Sequence, residues 1–488
     1  MREIIATFAP VQDAPMPTRI IRVEDHPISP DVEFSLQKLE EPKNPITVAK
    51  FGGYAMSTRE TVQRSAAIMH ANRERQIAIV AAPGELQEAL PGDTDGLTQL
   101  SVTSLLQDIY RLNSRGKSFE AQFDAVRSRF KSIGEGLEET SFIDKKMSDL
   151  YRGIDREESM AWVVSRGEAY MMDIFAKESG GSPADAANYI IAKNGTYTFV
   201  GGELPRVNSE FDVMGGHYGA DEYGNIELFP SPGANYTASI VAVGVEAKRL
   251  EIYKEVPGYF SADPQIVTNP HHIEEITYEQ MRAINWASEK PVIPRDSVLP
   301  AIKSDIPLYV ASVEQPEHGT IIRKSTNHDG KEPVVGVFGR GSMTSFTVEI
   351  AGRHDADGIA KKILEVFSRE NRSVRAAKTD MDRVSVDVEK DQLAEATGTR
   401  IEDSLSSIGK LQVHEENASI TVVPDNKRGL MAVIAKTAKT LEEANIEASE
   451  FTANKNVIFT VEGDRLEPAV RAIHDAFFSD NRAQEGQH

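Results

Sequence analysis

With 488 residues, 40% of them hydrophobic and 26% charged, the chain is of ordinary soluble composition but too long for one core, which suggests about three domains. A net charge of −21 argues against a nucleic-acid partner, and the absence of cysteine excludes disulfides and thiolate metal sites. No stretch approaches the ~18 to 20 apolar residues of a membrane span, and any polyanionic ligand must be drawn in by local lysines and backbone N–H groups against a repulsive background.

Residues 1–44 are proline-rich, acidic and poor in periodic apolar positions, and are read as an extended arm without the apolar core of a secretory signal. The β-branched run Ile46-Thr47-Val48-Ala49 then enters Lys50-Phe51-Gly52-Gly53, the pattern of a buried strand ending in a turn. Paired glycines let main-chain N–H groups converge on an anion, and a lysine adds a point charge. Such a turn is also commonplace without any ligand. Ile77 to Ala82 is a buried strand ended by Pro83-Gly84, and Val102, Leu105, Leu106, Ile109 and Leu112 have helical spacing. Residues 115–160 are helical in pattern, through Phe119, Phe123, Val126, Phe130, Ile133 and Leu137. Thr237 to Val245 opens a further helix and Leu250 to Tyr253 a further strand. Strands alternating with helices imply an α/β fold, a mostly parallel sheet covered on both faces.

The last ~150 residues have a different rhythm. Val334 to Phe338, a turn, and Phe346 to Ile350 lead into a helix from about Asp357 to Glu370, two strand-like runs (Val374 to Lys378, Val384 to Val388) and another helix. Ala418 to Val423, the turn Pro424 to Gly429, a helix from Leu430 to Ala444, two more strand patterns and a helix ending at Phe478 repeat that order. Two tandem ferredoxin-like βαββαβ modules are expected, over 334–412 and 413–482, joined to a 45–322 domain by a polar linker near Arg323 to Pro333.

Five blocks in order carry a resemblance to the aspartate kinases over about residues 46–480. They are Val48-Ala49-Lys50-Phe51-Gly52-Gly53; Val80-Ala81-Ala82-Pro83-Gly84 with Ser101 to Leu106, similar to "VSAPGK … KVTDLL"; Ser165-Arg166-Gly167-Glu168, identical to "SRGE"; Ala262-Asp263-Pro264, close to "ADPRIV"; and the stretch around Lys290, similar to "GAKVLHPR". The C-terminal repeats resemble that family's paired ACT domains, and 343–350 the stretch that opens the first of them.

The resemblance implies an amino-acid-kinase domain and ATP- and Mg²⁺-dependent phosphorylation of the side-chain carboxylate of L-aspartate, regulated by an amino acid at the ACT modules. It sets Lys50, Gly52, Gly53 and Gly233 beside the phosphates, and Asn235 and Lys290 with Lys50 among the catalytic groups. Tyr253, Lys254, Gly258 and Asp263 would flank the nucleotide. A tyrosine on a buried strand is otherwise simply core. Glu168 would accept the substrate's ammonium, with Thr103 nearby, and Ser231 falls at the α-carboxylate. Both Thr103 and Glu168 have a plainer reading, as residues favoured at helix N-termini. Effector contacts are expected at Met343, Thr344, Ser345, Asp382 and Asp425, buried between two copies, hence a homodimer or larger homo-oligomer.

Departures cluster on the catalytic face. Ser231 and Asn235 stand where the family's "SRGGSD" has an arginine and an aspartate, and Ala81, Glu85, Tyr54 and Lys254-Glu255 also differ from the pattern. A serine cannot make the bidentate pair an arginine makes with a carboxylate. Three readings therefore stay open: an aspartate kinase with rearranged partners, a kinase for another acidic amino acid, and a weakly active regulatory homologue that senses an amino acid.

Overall fold

The computed structural model describes residues 45–137, 141–193, 195–201, 204, 209–229, 233–294, 296–326, 333–349, 356–380, 382–426, 429–453 and 455–485. The arm over 1–44, Ser231 and most of the expected linker lie outside them. The described chain divides into two compact units, one ending at Pro257 and resuming over 296–323, the other comprising 258–295 and everything from Lys324. The expected 45–322 domain is thus interrupted: 258–295 clusters with the C-terminal residues.

In the first unit the central sheet runs in the order Thr320–Arg323, Leu308–Ser312, Arg249–Lys254, Thr47–Phe51, Arg75–Val80, Asp212–Gly215, Ser182–Ala184. All of its pairings are parallel except that of Leu308–Ser312 with Thr320–Arg323. Strand Thr47–Phe51 lies in the middle, with Lys50 level with Ile79 on one side and Ile252 on the other. Every residue of that strand is buried, Lys50 included, which is why it shows no alternation of apolar and polar residues. Helix Met160–Ser179 is capped by Ser159, whose hydroxyl accepts from the Trp162 N–H at 3.1 Å. The helical pattern over 115–160 becomes Glu120–Ile133 and Ser141–Asp155, with a break at Gly134-Glu135-Gly136 where Gly136 takes φ +82°.

The second unit contains a six-stranded antiparallel sheet in the order Val374–Thr379, Arg383–Glu389, Val334–Glu349, Lys410–Pro424, Val457–Glu462, Glu450–Ala453. The turn expected near 339–345 is absent. Gly339-Arg340-Gly341-Ser342 is instead absorbed as a bulge, with the register shifting between Arg340 and Met343 and Ser342 at φ +55°. The two halves of this long strand serve different cores. Phe346 and Val348 pack with Ile363, Phe367, Val386, Ile401 and Leu405. Val334 and Val337 pack with Ile420, Val422, Val457, Val470 and Ile473. The modules are therefore interleaved rather than tandem: Val334–Arg340 pairs with 419–424 and completes the second module, and the first is inserted after it. The expected 412/413 boundary falls inside the continuous strand Lys410–Pro424.

Candidate active site

The loops that leave the carboxyl ends of the first unit's parallel strands converge, the position where open α/β sheets bind ligands. After Phe51, the Gly52 N–H donates to the Tyr253 carbonyl at 3.0 Å and the Gly84 N–H to the Gly53 carbonyl at 2.9 Å. The two turns meet backbone to backbone: a Cβ on Gly84 would stand 2.7 Å from the Gly53 carbonyl carbon. Across the site a Cβ on Gly233 would stand 2.1 Å from His217 Cδ2, so only glycine can open helix Gly233–Gly244 there.

Lys50 is 6% exposed, and a Cβ on Gly52 would lie 3.4 Å from its Nζ. Burial, then the charge of Lys254, pushes its pKa from 10.5 down to about 7, against the opposing pull of Glu255 and Glu168. Lys254 is itself lowered by burial. Two cations in so dry a place disfavour one another until an anion arrives.

Glu168 is buried in helix Met160–Ser179, close against the end of strand Asp212–Gly215, where a Cβ on Gly215 would be 3.1 Å from the Glu168 carbonyl oxygen. Its Oε1 lies 3.4 Å from His217 Nδ1, and its Oε2 has no hydrogen-bond partner among the described residues. Asn235 is also buried; its Nδ2 lies 3.5 Å from Ser297 Oγ and its Oδ1 has no partner among the described residues. Thr103 is half-buried in the first turn of helix Val102–Asn113, and the cap there is Ser101, which accepts from the Ser104 N–H at 3.1 Å. Capping therefore does not occupy the Thr103 hydroxyl.

Arg129 braces these loops. It is 1% exposed and donates to the carbonyls of Gly84 at 2.6 Å and of Thr98 and Leu100 at 2.8 Å, with Ser57 at 3.5 Å. Burial pulls its pKa down to about 10. One guanidinium thus ties the turn after Gly53, the turn at Gly84 and the entry to the Thr103 helix.

Tyr253 is core. It is fully buried, its ring stacks on Phe51 at 5.3 Å and its hydroxyl donates to Glu251 Oε2 at 2.8 Å. Glu251 in turn is held by Arg75 at 2.7 Å and by Arg249. Only the Tyr253 carbonyl faces the glycine turn, so the expectation that its ring flanks a nucleotide gives way to packing. Tyr54, where the family's pattern has a small hydroxyl, donates instead to Glu314 at 2.8 Å.

Gly258, Asp263 and Lys290 belong to the second unit. Gly258 takes φ +116°, Asp263 accepts from the Gln265 N–H at 2.8 Å as a turn residue, and Lys290 is exposed. The effector set is not brought together. Ser345 donates to Asp387 at 2.6 Å and accepts from Asn417 at 2.8 Å, whereas Asp382 lies beyond the Glu349–Arg383 pair and Asp425 beyond the opposite end, following Pro424, the partner of Val334. Met343 and Thr344 are buried.

Sequence reasoning passed over His217 and Arg129. Arg129 did carry a signal: a charge three residues after Val126 sits on the apolar stripe of its helix and needs buried acceptors. His217 carried none, because a histidine after two glycines looks like any turn.

A family model for the amino acid kinase family matches residues 45–312. Aspartokinase 3 of Bacillus subtilis is 24% identical over 460 residues, 88% of this chain and 98% of its own length. The lysine-sensitive aspartokinase 3 of Escherichia coli is 23% identical over 465 residues, 89% and 99% of the two chains. Among solved structures, Clostridium acetobutylicum aspartate kinase matches with a TM-score of 0.74 at 24% identity, over 88% of this chain and all of that one. E. coli aspartokinase III in complex with aspartate and ADP matches with a TM-score of 0.68 at 21% identity, over 89% and 100%. At such identities the structural likeness speaks for the fold.

Proposed function

The chain belongs to the amino acid kinase family, and from that membership we propose that it transfers the terminal phosphoryl group of ATP to the side-chain carboxylate of L-aspartate, giving aspartyl phosphate. The observation that carries this reading is one arrangement: a buried lysine beside a glycine turn, with a buried glutamate that keeps one oxygen unbonded among the described residues. ATP, when bound, supplies an electrophilic phosphoryl group whose charge spreads over its oxygens, so catalysis rests on positioning and charge stabilisation.

Lys50 is the cation for that charge. Because Gly52 spends its N–H on Tyr253, Gly53 and the start of helix Gly233–Gly244 are the backbone donors. Glu168 Oε2 receives the substrate's ammonium, with the Thr103 hydroxyl on the same side. The residues suit ATP better than they suit a resident metal. No group of three His, Asp or Glu able to hold an ion occurs among the described residues, and Asn235 offers only a neutral oxygen. Magnesium therefore enters as the counter-ion of the nucleotide, and no step is assigned to it.

The ferredoxin-like modules resemble regulatory domains, and the proposal extends to an amino-acid effector bound there and to assembly as at least a dimer. The polar cluster of buried Ser345 and Asp387 with half-buried Asn417 supports that site better than Asp382 or Asp425. A second reading, a weakly active regulatory homologue, draws on Asn235 and on Ser231.

An ADP-release assay with aspartate, glutamate and their amides separates the readings. Aspartate-dependent release supports the kinase. Release dependent on another acidic amino acid reassigns the substrate, and amino-acid binding without release by any of them favours the regulatory homologue.

A further inference from the structure

We propose that His217 is a substrate-binding residue, pairing with Glu168 so that the carboxylate takes the amino acid's ammonium and the imidazolium takes its α-carboxylate. The inference rests on the amino-acid kinase reading above and deepens it.

The α-carboxylate needs a counter-charge, and Ser231, where the family's pattern has an arginine, brings none. Among the described residues near Glu168, Lys50 lies beside the glycine turn, where the proposed function sets it against the phosphates. Arg166 is turned away: it donates to the Trp162 carbonyl at 3.2 Å and to Ser165 Oγ at 2.9 Å, and lies over the Trp162 ring. His217 Nδ1 sits 3.4 Å from Glu168 Oε1, which leaves Oε2 of that carboxylate, 3% exposed as a residue, to meet a ligand cation. The pair is half committed internally and half open.

His217 takes φ +73°, a left-handed conformation it shares with nine other non-glycine residues among those described. Its N–H donates to Thr237 Oγ1 and its carbonyl accepts from the Phe229 N–H, both at 2.9 Å. Its ring lies over Gly233, whose missing side chain makes the room.

The groups facing the imidazole are the Glu168 carboxylate from helix Met160–Ser179, the backbone of Phe229, and Gly233 and Thr237 from helix Gly233–Gly244. Nearby, Lys50 acts on Glu168, and Arg166 and Asp185 act on the neighbouring Tyr218. Burial alone would favour the neutral ring, but the hydrogen bond and charge of Glu168, with a further hydrogen bond from the ring to the Phe229 backbone, outweigh it and the pKa is raised. The ring is therefore charged at low pH, and amino-acid affinity falls as pH rises through that raised value.

The test is calorimetric titration of the full chain with L-aspartate without nucleotide, from about pH 6 to about pH 9. Wild type is expected to lose affinity across this window. His217→Asn, which tolerates the left-handed backbone but carries no charge, should bind roughly 10- to 100-fold more weakly at the acid end and show no pH dependence, with ATP affinity unchanged. Lys50 titrates in the same range, so Lys50→Met must keep the slope that His217→Asn loses. In wild type alone, the His217 resonance should titrate at a higher pH with aspartate bound. A His217→Asn chain that keeps wild-type affinity and slope overturns the inference and leaves the kinase reading standing, as does an unmoved His217 titration. A wild type that binds neither aspartate nor glutamate at any pH overturns both.

Discussion

Replacing Lys50 by methionine should make the ligand-free chain more stable and the enzyme inactive. A pKa moved from 10.5 to about 7 corresponds to about 5 kcal/mol disfavouring the charged lysine in the folded chain. The folded value lies below the unfolded one, so the penalty is fully present below pH 7 and fades as pH rises towards 10.5. At pH 7 most of it remains. Methionine preserves length and burial without charge, and allowing half the penalty for relaxation and water, Lys50→Met should gain about 2 kcal/mol in denaturant unfolding at neutral pH. That gain should shrink at alkaline pH as the wild-type lysine loses its proton. MgATP at a hundred times its Kd should add about 2.7 kcal/mol to the wild type and almost nothing to the variant. A Lys50→Met chain that is less stable than wild type without ligand refutes the burial argument, and one that still responds to MgATP refutes the phosphate role.

Glu168→Gln keeps shape and loses charge, so the KM for the amino acid should rise roughly 10- to 100-fold while ATP affinity stays put; loss of ATP binding alone would move Glu168 to the other substrate. Arg129→Met leaves the carbonyls of Gly84, Thr98 and Leu100 without their donor and should destabilise the chain by about 2 to 4 kcal/mol in chemical unfolding. Arg129→Lys should rescue little of that, because one ammonium cannot reproduce the planar fork; full rescue would reduce the role to charge. Gly84→Ala drives a Cβ to 2.7 Å from the Gly53 backbone, so steady-state kinetics should show lost turnover; unchanged kcat would show that the two turns need not touch.

The strands at 47–51, 75–80 and 249–254 and the helix at Val102 were legible because buried parallel strands and amphipathic helices leave strong local periodicities. The glycine turn and Glu168 were legible as motifs. What escaped was long-range. The interleaving of the two modules depends on Val334–Arg340 pairing with 419–424, a choice that Gly339 and Gly341 disguise as a turn. Tyr253 looked like a nucleotide neighbour until its hydroxyl met the buried Glu251. The pairing of Glu168 with His217, 49 residues apart, follows from how helix Met160–Ser179 lies beside the end of strand Asp212–Gly215, which no local pattern encodes.

The most direct measurement is to trap the product. Wild-type chain with MgATP and L-aspartate is quenched with hydroxylamine, which converts an acyl phosphate to a hydroxamate detectable by mass. Aspartyl hydroxamate should form in proportion to ADP, and should vanish without ATP and in Lys50→Met. ADP release with no hydroxamate, or equal hydroxamate from the Lys50→Met chain, would contradict phosphoryl transfer to the aspartate carboxylate at this site.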